Sequence, residues 1–155
     1  MSINDVDMAL DAINNNESAC FFAGSRDDAL IKKAEKTLGL KFPPSYYKYL
    51  AKLGCGSVGS EEIYGIIDDD FFDSSVPDAI WVTLQQRKMC RIKDDLVIIY
   101  SFGDGDYAAL LCLPTQGEGP IIRVSPGNPV NYQEILASDF GVFFWERVKE
   151  ALDLS

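Results

Sequence analysis

The densest set of chemically capable side chains is the run "DDDFFD", where Asp68, Asp69, Asp70 and Asp73 bracket Phe71 and Phe72. A metal site would need these oxygens to converge on one ion. Three consecutive aspartates on a regular backbone cannot all aim at one point. The alternating oxygens, sixth-position Gly and twelfth-position Glu of a calcium loop are also missing. "DGD" at Asp104 to Asp106 is too short for a full cage. No metal and no cofactor are therefore expected. Two carboxylates could serve a hydrolase of the glycosidase type, but only at a working separation, which sequence spacing does not set. A docking surface is the third use: Phe supplies contact area, and acids supply steering and specificity. The bland alternative puts both Phe rings in the core and leaves the acids solvated.

The acids extend beyond this run. Between Leu53 and Gln86 there is no Lys or Arg, yet Glu61, Glu62, Asp68, Asp69, Asp70, Asp73 and Asp78 lie there. The candidate partner-contact residues are therefore Glu61, Glu62, Asp68, Asp69, Asp70, Phe71, Phe72 and Asp73. Catalytic candidates are scarcer. The chain has no histidine, which removes the commonest general base, the usual protease dyads and most zinc sites. Cys20, Cys55, Cys90 and Cys112 show no CxxC spacing, so they are expected as reduced, mostly buried thiols. Cys55, between two glycines, could instead be exposed and reactive, though no His or cation lies near it in sequence. "GCGSVGS" is rich in glycine, but a phosphate-cradling loop would want a Lys and a helix directly after it. A turn is the expected reading.

Composition narrows the partner. The formal charge is −10 over 155 residues. Such a field repels phosphate backbones and suits a basic protein. It also serves plain solubility. The start "MSINDVDMAL" lacks a basic flank and a long apolar core, so no export signal is expected. No apolar run approaches the ~20 residues of a membrane helix. The expectation is one domain, residues 1–155, in the cytoplasm.

Several elements must position these residues. Ile3, Val6, Leu10 and Ile13 recur at helical spacing. "ACFFAG" is a strand or a tucked loop. Ser25 is placed to cap a helix carrying Leu30, Ala34 and Leu38, with Gly39 at its left-handed end and Leu40 folding back. Pro44 opens a helix with Tyr46, Leu50 and Leu53 on one face. Of Tyr46, Tyr47 and Tyr49, one or two should be core, their hydroxyls reaching the surface. "EEIYGII" reads as a strand with Gly65 at a bulge or close backbone contact. Ser75 is placed to cap a further helix. "DLVIIY", "YAALLCL" and "PIIRVS" read as three strands of an antiparallel meander joined by "FGDGD" and "TQGEG". "PGNP" makes another turn. Ser138 is placed to cap a long closing helix with Phe140, Phe144, Val148 and Leu152 in one stripe. The fold class is α+β: N-terminal helices, an antiparallel meander, and a long C-terminal helix packed on the sheet.

The order of these motifs resembles the SUKH superfamily. Its opening signature falls on Leu38, Gly39, Phe42, Pro43, Tyr46 or Tyr47, Leu50, Gly54 and Gly56. "LVIIYSFGDGDYAALLCL" resembles its central hairpin, although the family turn is often richer in glycine. "ILASDFGVFF" is similar to its closing helix. The likeness covers about residues 26–150. It implies a compact α+β protein-binding domain that usually lacks enzymatic activity. In bacteria, such domains commonly act as cytoplasmic immunity proteins against delivered toxins, many of them nucleases. Fungal relatives regulate cell-wall assembly through protein contacts. The expected partner is thus a basic toxin domain. The alternatives are a regulatory interaction domain without a toxin and a carboxylate-dependent hydrolase.

Overall fold

A computed structural model describes residues 2–89, 91–127 and 132–154. The turn expected at Pro126 to Pro129 lies partly outside the described residues, and Cys90 lies wholly outside them. Helix α1 (Ser2–Asn14) leads into a short strand, β1 (Cys20–Phe22). Helices α2 (Asp28–Leu38) and α3 (Pro44–Leu53) follow, then β2 (Gly56–Val58) and β3 (Glu61–Ile63). After α4 (Ala79–Lys88) come β4 (Leu96–Ser101), β5 (Tyr107–Leu111), β6 (Ile121–Val124) and β7 (Tyr132–Ala137). The closing helix is α5 (Phe140–Ala151). The architecture is α+β, as expected, with α5 packed on α1 and against α3, β3 and β7.

The meander has four strands, not three, in the order β4-β5-β6-β7, all antiparallel. The extra strand is β7. One cross-strand row runs Ile98, Ala109, Ile122, Ile135. The first three are buried, while Ile135 on the edge strand is 71% exposed. A second, smaller sheet has the order β1-β2-β3. It uses "ACFFAG" and the glycine-rich segment expected as a turn. Gly56 there meets β1 closely: a Cβ would lie 2.1 Å from the Phe21 carbonyl oxygen.

Local chemistry sets the helix ends. In three helices a carboxylate caps where a nearby serine was expected. Asp27 accepts from the Leu30 amide, Asp78 from those of Ile80 and Trp81, and Asp139 from that of Val142. In α4 the helix begins at Ala79, three residues beyond the start that a Ser75 cap would give, and Asp78 is the residue in the cap position. Such a cap stabilises a helix by about 1 kcal/mol. Gly39 takes the left-handed C′ position at φ 71°. The Leu40 amide donates back to the Glu35 carbonyl, as expected. The buried Glu35 carboxylate then accepts from the Phe42 amide at 2.7 Å and fixes the entry to α3. From 73 residues away, Glu118 completes that helix start by accepting from both the amide and the hydroxyl of Ser45.

The core is aromatic where α3 meets α5. Tyr46, Tyr49, Phe140 and Phe144 are fully buried. Their rings stack and cross at centroid distances of 4.9 to 5.9 Å. The hydroxyls of Tyr46 and Tyr49 do not reach the surface. They donate to the carbonyls of Tyr64 and Ile63, at 3.0 and 2.7 Å. A buried phenol needs such a partner, and these two anchor the end of β3 to α3. That anchor fixes where the acidic loop begins.

Candidate partner-binding surface

The acidic loop leaves β3 through a pinch at Gly65. A Cβ there would lie 1.7 Å from the Gly54 carbonyl oxygen, so only glycine fits. This is the close backbone contact expected from sequence. The Gly65 amide donates to Pro77, and its carbonyl accepts from Ala79. Both ends of the loop are thereby tied together, with the fully buried Asp78 at the junction. Burial pushes the Asp78 carboxyl above its ordinary value, opposed by bonds from Trp81, Ile80 and Ser74.

Two cations then clamp the loop, and both grip its backbone. Arg26 donates from Nε to Ile66 O and from Nη2 to Ile67 O, each at 2.8 Å. Lys33 Nζ donates to Asp69 O at 2.9 Å. Within the loop, Asp68 Oδ1 accepts from the Asp70 amide, and Asp70 Oδ1 accepts from those of Phe72 and Asp73. These turns divide the phenylalanine pair. Phe71 is 1% exposed, inside the core and 5.6 Å from Lys33 Nζ. Phe72 is 74% exposed. One ring of the pair is in the core and the other stands in solvent.

The remaining acids divide in the same way. On β3 successive side chains alternate, so Glu61 turns inward and Glu62 outward. Glu61 accepts from Arg147 at 3.0 Å and from the Tyr100 hydroxyl at 2.8 Å. It braces β3 to α5 and β4 and is turned away from the surface. Glu62 is exposed and shares a cross-strand row with Ser57 and the 79% exposed Phe21. Asp68, Asp69, Asp70 and Asp73 are exposed. Among the described residues, no Lys or Arg nitrogen lies within 4 Å of their carboxylates. The outward set is therefore Glu62, Asp68, Asp69, Asp70, Phe72 and Asp73; Phe71 and Glu61 support it from inside.

Sequence reasoning missed the clamps and the added apolar surface. Arg26 and Lys33 lie 40 and 36 residues from the carbonyls they hold, and nothing local signals such a contact. Phe21, in a run expected as a strand or a tucked loop, and Val76 are 79% and 48% exposed.

Other candidate sites resolve into structure. Asp104 and Asp106 both pair with Arg123 at 2.9 Å. Cys55 is buried, and burial pushes its thiol up to about 11, against the nearby Arg26. Cys112 is pushed up to about 12 for the same reason. Neither thiol is poised as a nucleophile. Among the described residues, no group of three or more His, Cys, Asp or Glu is arranged to hold a metal. No described helix is long and apolar enough to cross a membrane.

The arrangement can offer carboxylates and one exposed ring on a rigidly held loop. A family model described as SUKH_5, SMI1-KNR4 cell-wall, matches residues 6–149. That span holds both sheets, α2 to α4, the acidic loop and nearly all of α5. The chain belongs to the SUKH family.

Proposed function

We propose that this chain is a non-enzymatic protein-binding domain acting in the cytoplasm as an immunity protein. Its partner is a basic toxin domain, such as a nuclease, which it neutralises by covering the active site or the substrate groove. One observation supports the surface most: Phe72 stands 74% exposed beside carboxylates that no described Lys or Arg meets within 4 Å. An exposed ring framed by unpaired acids suits a basic partner, with the ring as anchor and the acids as steering charges. The contact set is Glu62, Asp68, Asp69, Asp70, Phe72 and Asp73. Family membership supports the class of function. The charge of −10 supports the sign of the partner and argues against direct nucleic-acid binding.

Co-expression with the toxin domains encoded beside its gene tests the reading. Rescue of growth is expected with one of them, lost when Phe72→Ala is combined with Asp68→Asn and Asp69→Asn. Failure to rescue from any of them overturns it.

The description of the matching family, which names the cell wall, favours a second reading: a regulatory interaction domain with no toxin. That reading expects the same surface to capture a host protein, with no toxin gene beside its own.

A further inference from the structure

We propose that the groove between α2 and the acidic loop receives an arginine side chain of the protein partner; this rests on the docking reading above. The groove is open to solvent and offers about 580 Å³. Its floor is apolar, with half-buried Leu30 from α2 and Ile67 from the loop. Its rim is acidic and comes from both sides: Asp27 from the helix cap, Asp68 and Asp69 from the loop, all exposed.

The two cations that line the groove leave this rim uncompensated by direct pairing. Arg26 donates to the carbonyls of Gly24, Ser25, Ile66 and Ile67, and Lys33 donates to that of Asp69. Among the described residues, no Lys or Arg nitrogen lies within 4 Å of the three rim carboxylates. An anion entering here would face those carboxylates, while the Arg26 guanidinium and the Lys33 ammonium are both already engaged with backbone carbonyls. A purely apolar side chain would cover the floor and strip water from the rim without replacing it. A long cationic side chain answers both: its stem lies on Leu30 and Ile67 while its head reaches the rim. Guanidinium suits this better than ammonium. Its planar fork engages two carboxylates at once and is more weakly hydrated. The overall charge of −10 favours its approach.

The test needs no identified partner. N-acetyl-arginine amide is titrated into the isotope-labelled full chain, with the neutral citrulline and norleucine analogues alongside. Expected are saturating amide shifts confined to residues 27–33 and 66–70. Binding of each neutral analogue is expected to be about threefold weaker, the scale of an exposed charge pair. Asp68→Asn with Asp69→Asn should weaken arginine binding by a similar factor. Ala29→Lys, a helix-compatible change on the groove wall, should do the same without touching the loop. Shifts that do not saturate, that lie elsewhere, or that persist unchanged in both variants overturn the groove assignment. Those results leave the docking reading to the rescue experiment. Conversely, failed rescue with arginine seated in the groove overturns the docking reading alone.

Discussion

Lys33 Nζ lies 2.9 Å from the backbone carbonyl of Asp69, and that bond leaves the carboxylate of Asp69 facing solvent. A cation has been spent on the backbone, so the loop is held while its charge stays on display. Lys33→Met should therefore loosen the loop with little loss of global stability, under about 1 kcal/mol, because the bond is exposed. Amide hydrogen exchange checks this. Faster exchange at Asp70 and Asp73, with the helices unchanged, is the expected result.

The two phenylalanines should separate cleanly in a denaturation experiment. Phe71 is inside the core and Phe72 is not. Phe71→Ala should cost about 3–5 kcal/mol, as for other buried aromatics. Phe72→Ala should stay within about 0.5 kcal/mol of the parent. Partner binding should show the reverse order among variants that remain folded.

Gly65→Ala should be among the most damaging small substitutions. The new methyl would meet the Gly54 carbonyl oxygen at 1.7 Å, and backbone cannot yield as a side-chain tip does. A loss of about 3 kcal/mol or more is expected, at the upper end for overpacking. Urea unfolding measures it.

Two aspartates should give opposite pH signatures. Burial raises Asp78, so the folded state binds its proton more tightly than the unfolded chain. Its contribution therefore improves as pH falls through its raised folded value, and levels off below the ordinary carboxylate range. Asp106 is lowered, first by the Ser125 hydroxyl and then by Arg123. Its contribution is present above the ordinary carboxylate range and is lost as pH falls through the lowered folded value. Unfolding free energy measured against pH should show this. The advantage of the parent over Asp78→Asn grows on acidification, and its advantage over Asp106→Asn shrinks.

The fold was legible where periodicity was strong. The stripe of Phe140, Phe144 and Val148, the Gly39 stop and the apolar run of β4 each express burial or backbone geometry locally. β7 was not legible, because an edge strand half in water mixes polar and apolar residues, and its Ile135 points outward. In the β1-β2-β3 sheet, β3 was legible within "EEIYGII" and β1 was one reading of "ACFFAG", but β2 was hidden, because a three-residue strand is too short for a period and Gly56 is there to let β1 approach, not to make a turn. The caps moved from serine to aspartate by one to three residues, where the backbone, not residue type, decides the first helical turn. At the candidate surface, the acids were plain in sequence. The partition of Phe71 from Phe72 was not, because it depends on Asx turns and on clamps from residues 36 and 40 positions away.

The association rate between this chain and the toxin domain it is proposed to neutralise tests the central claim most directly. The parent and a variant carrying Asp68→Asn, Asp69→Asn and Asp70→Asn are compared at low and high salt. Steering by an exposed acidic loop predicts association about tenfold slower for the variant at low salt, the lower end of electrostatic rate enhancement. The two rates should converge as salt screens the charges. Equal rates at low salt would contradict the account and remove the loop from the docking surface.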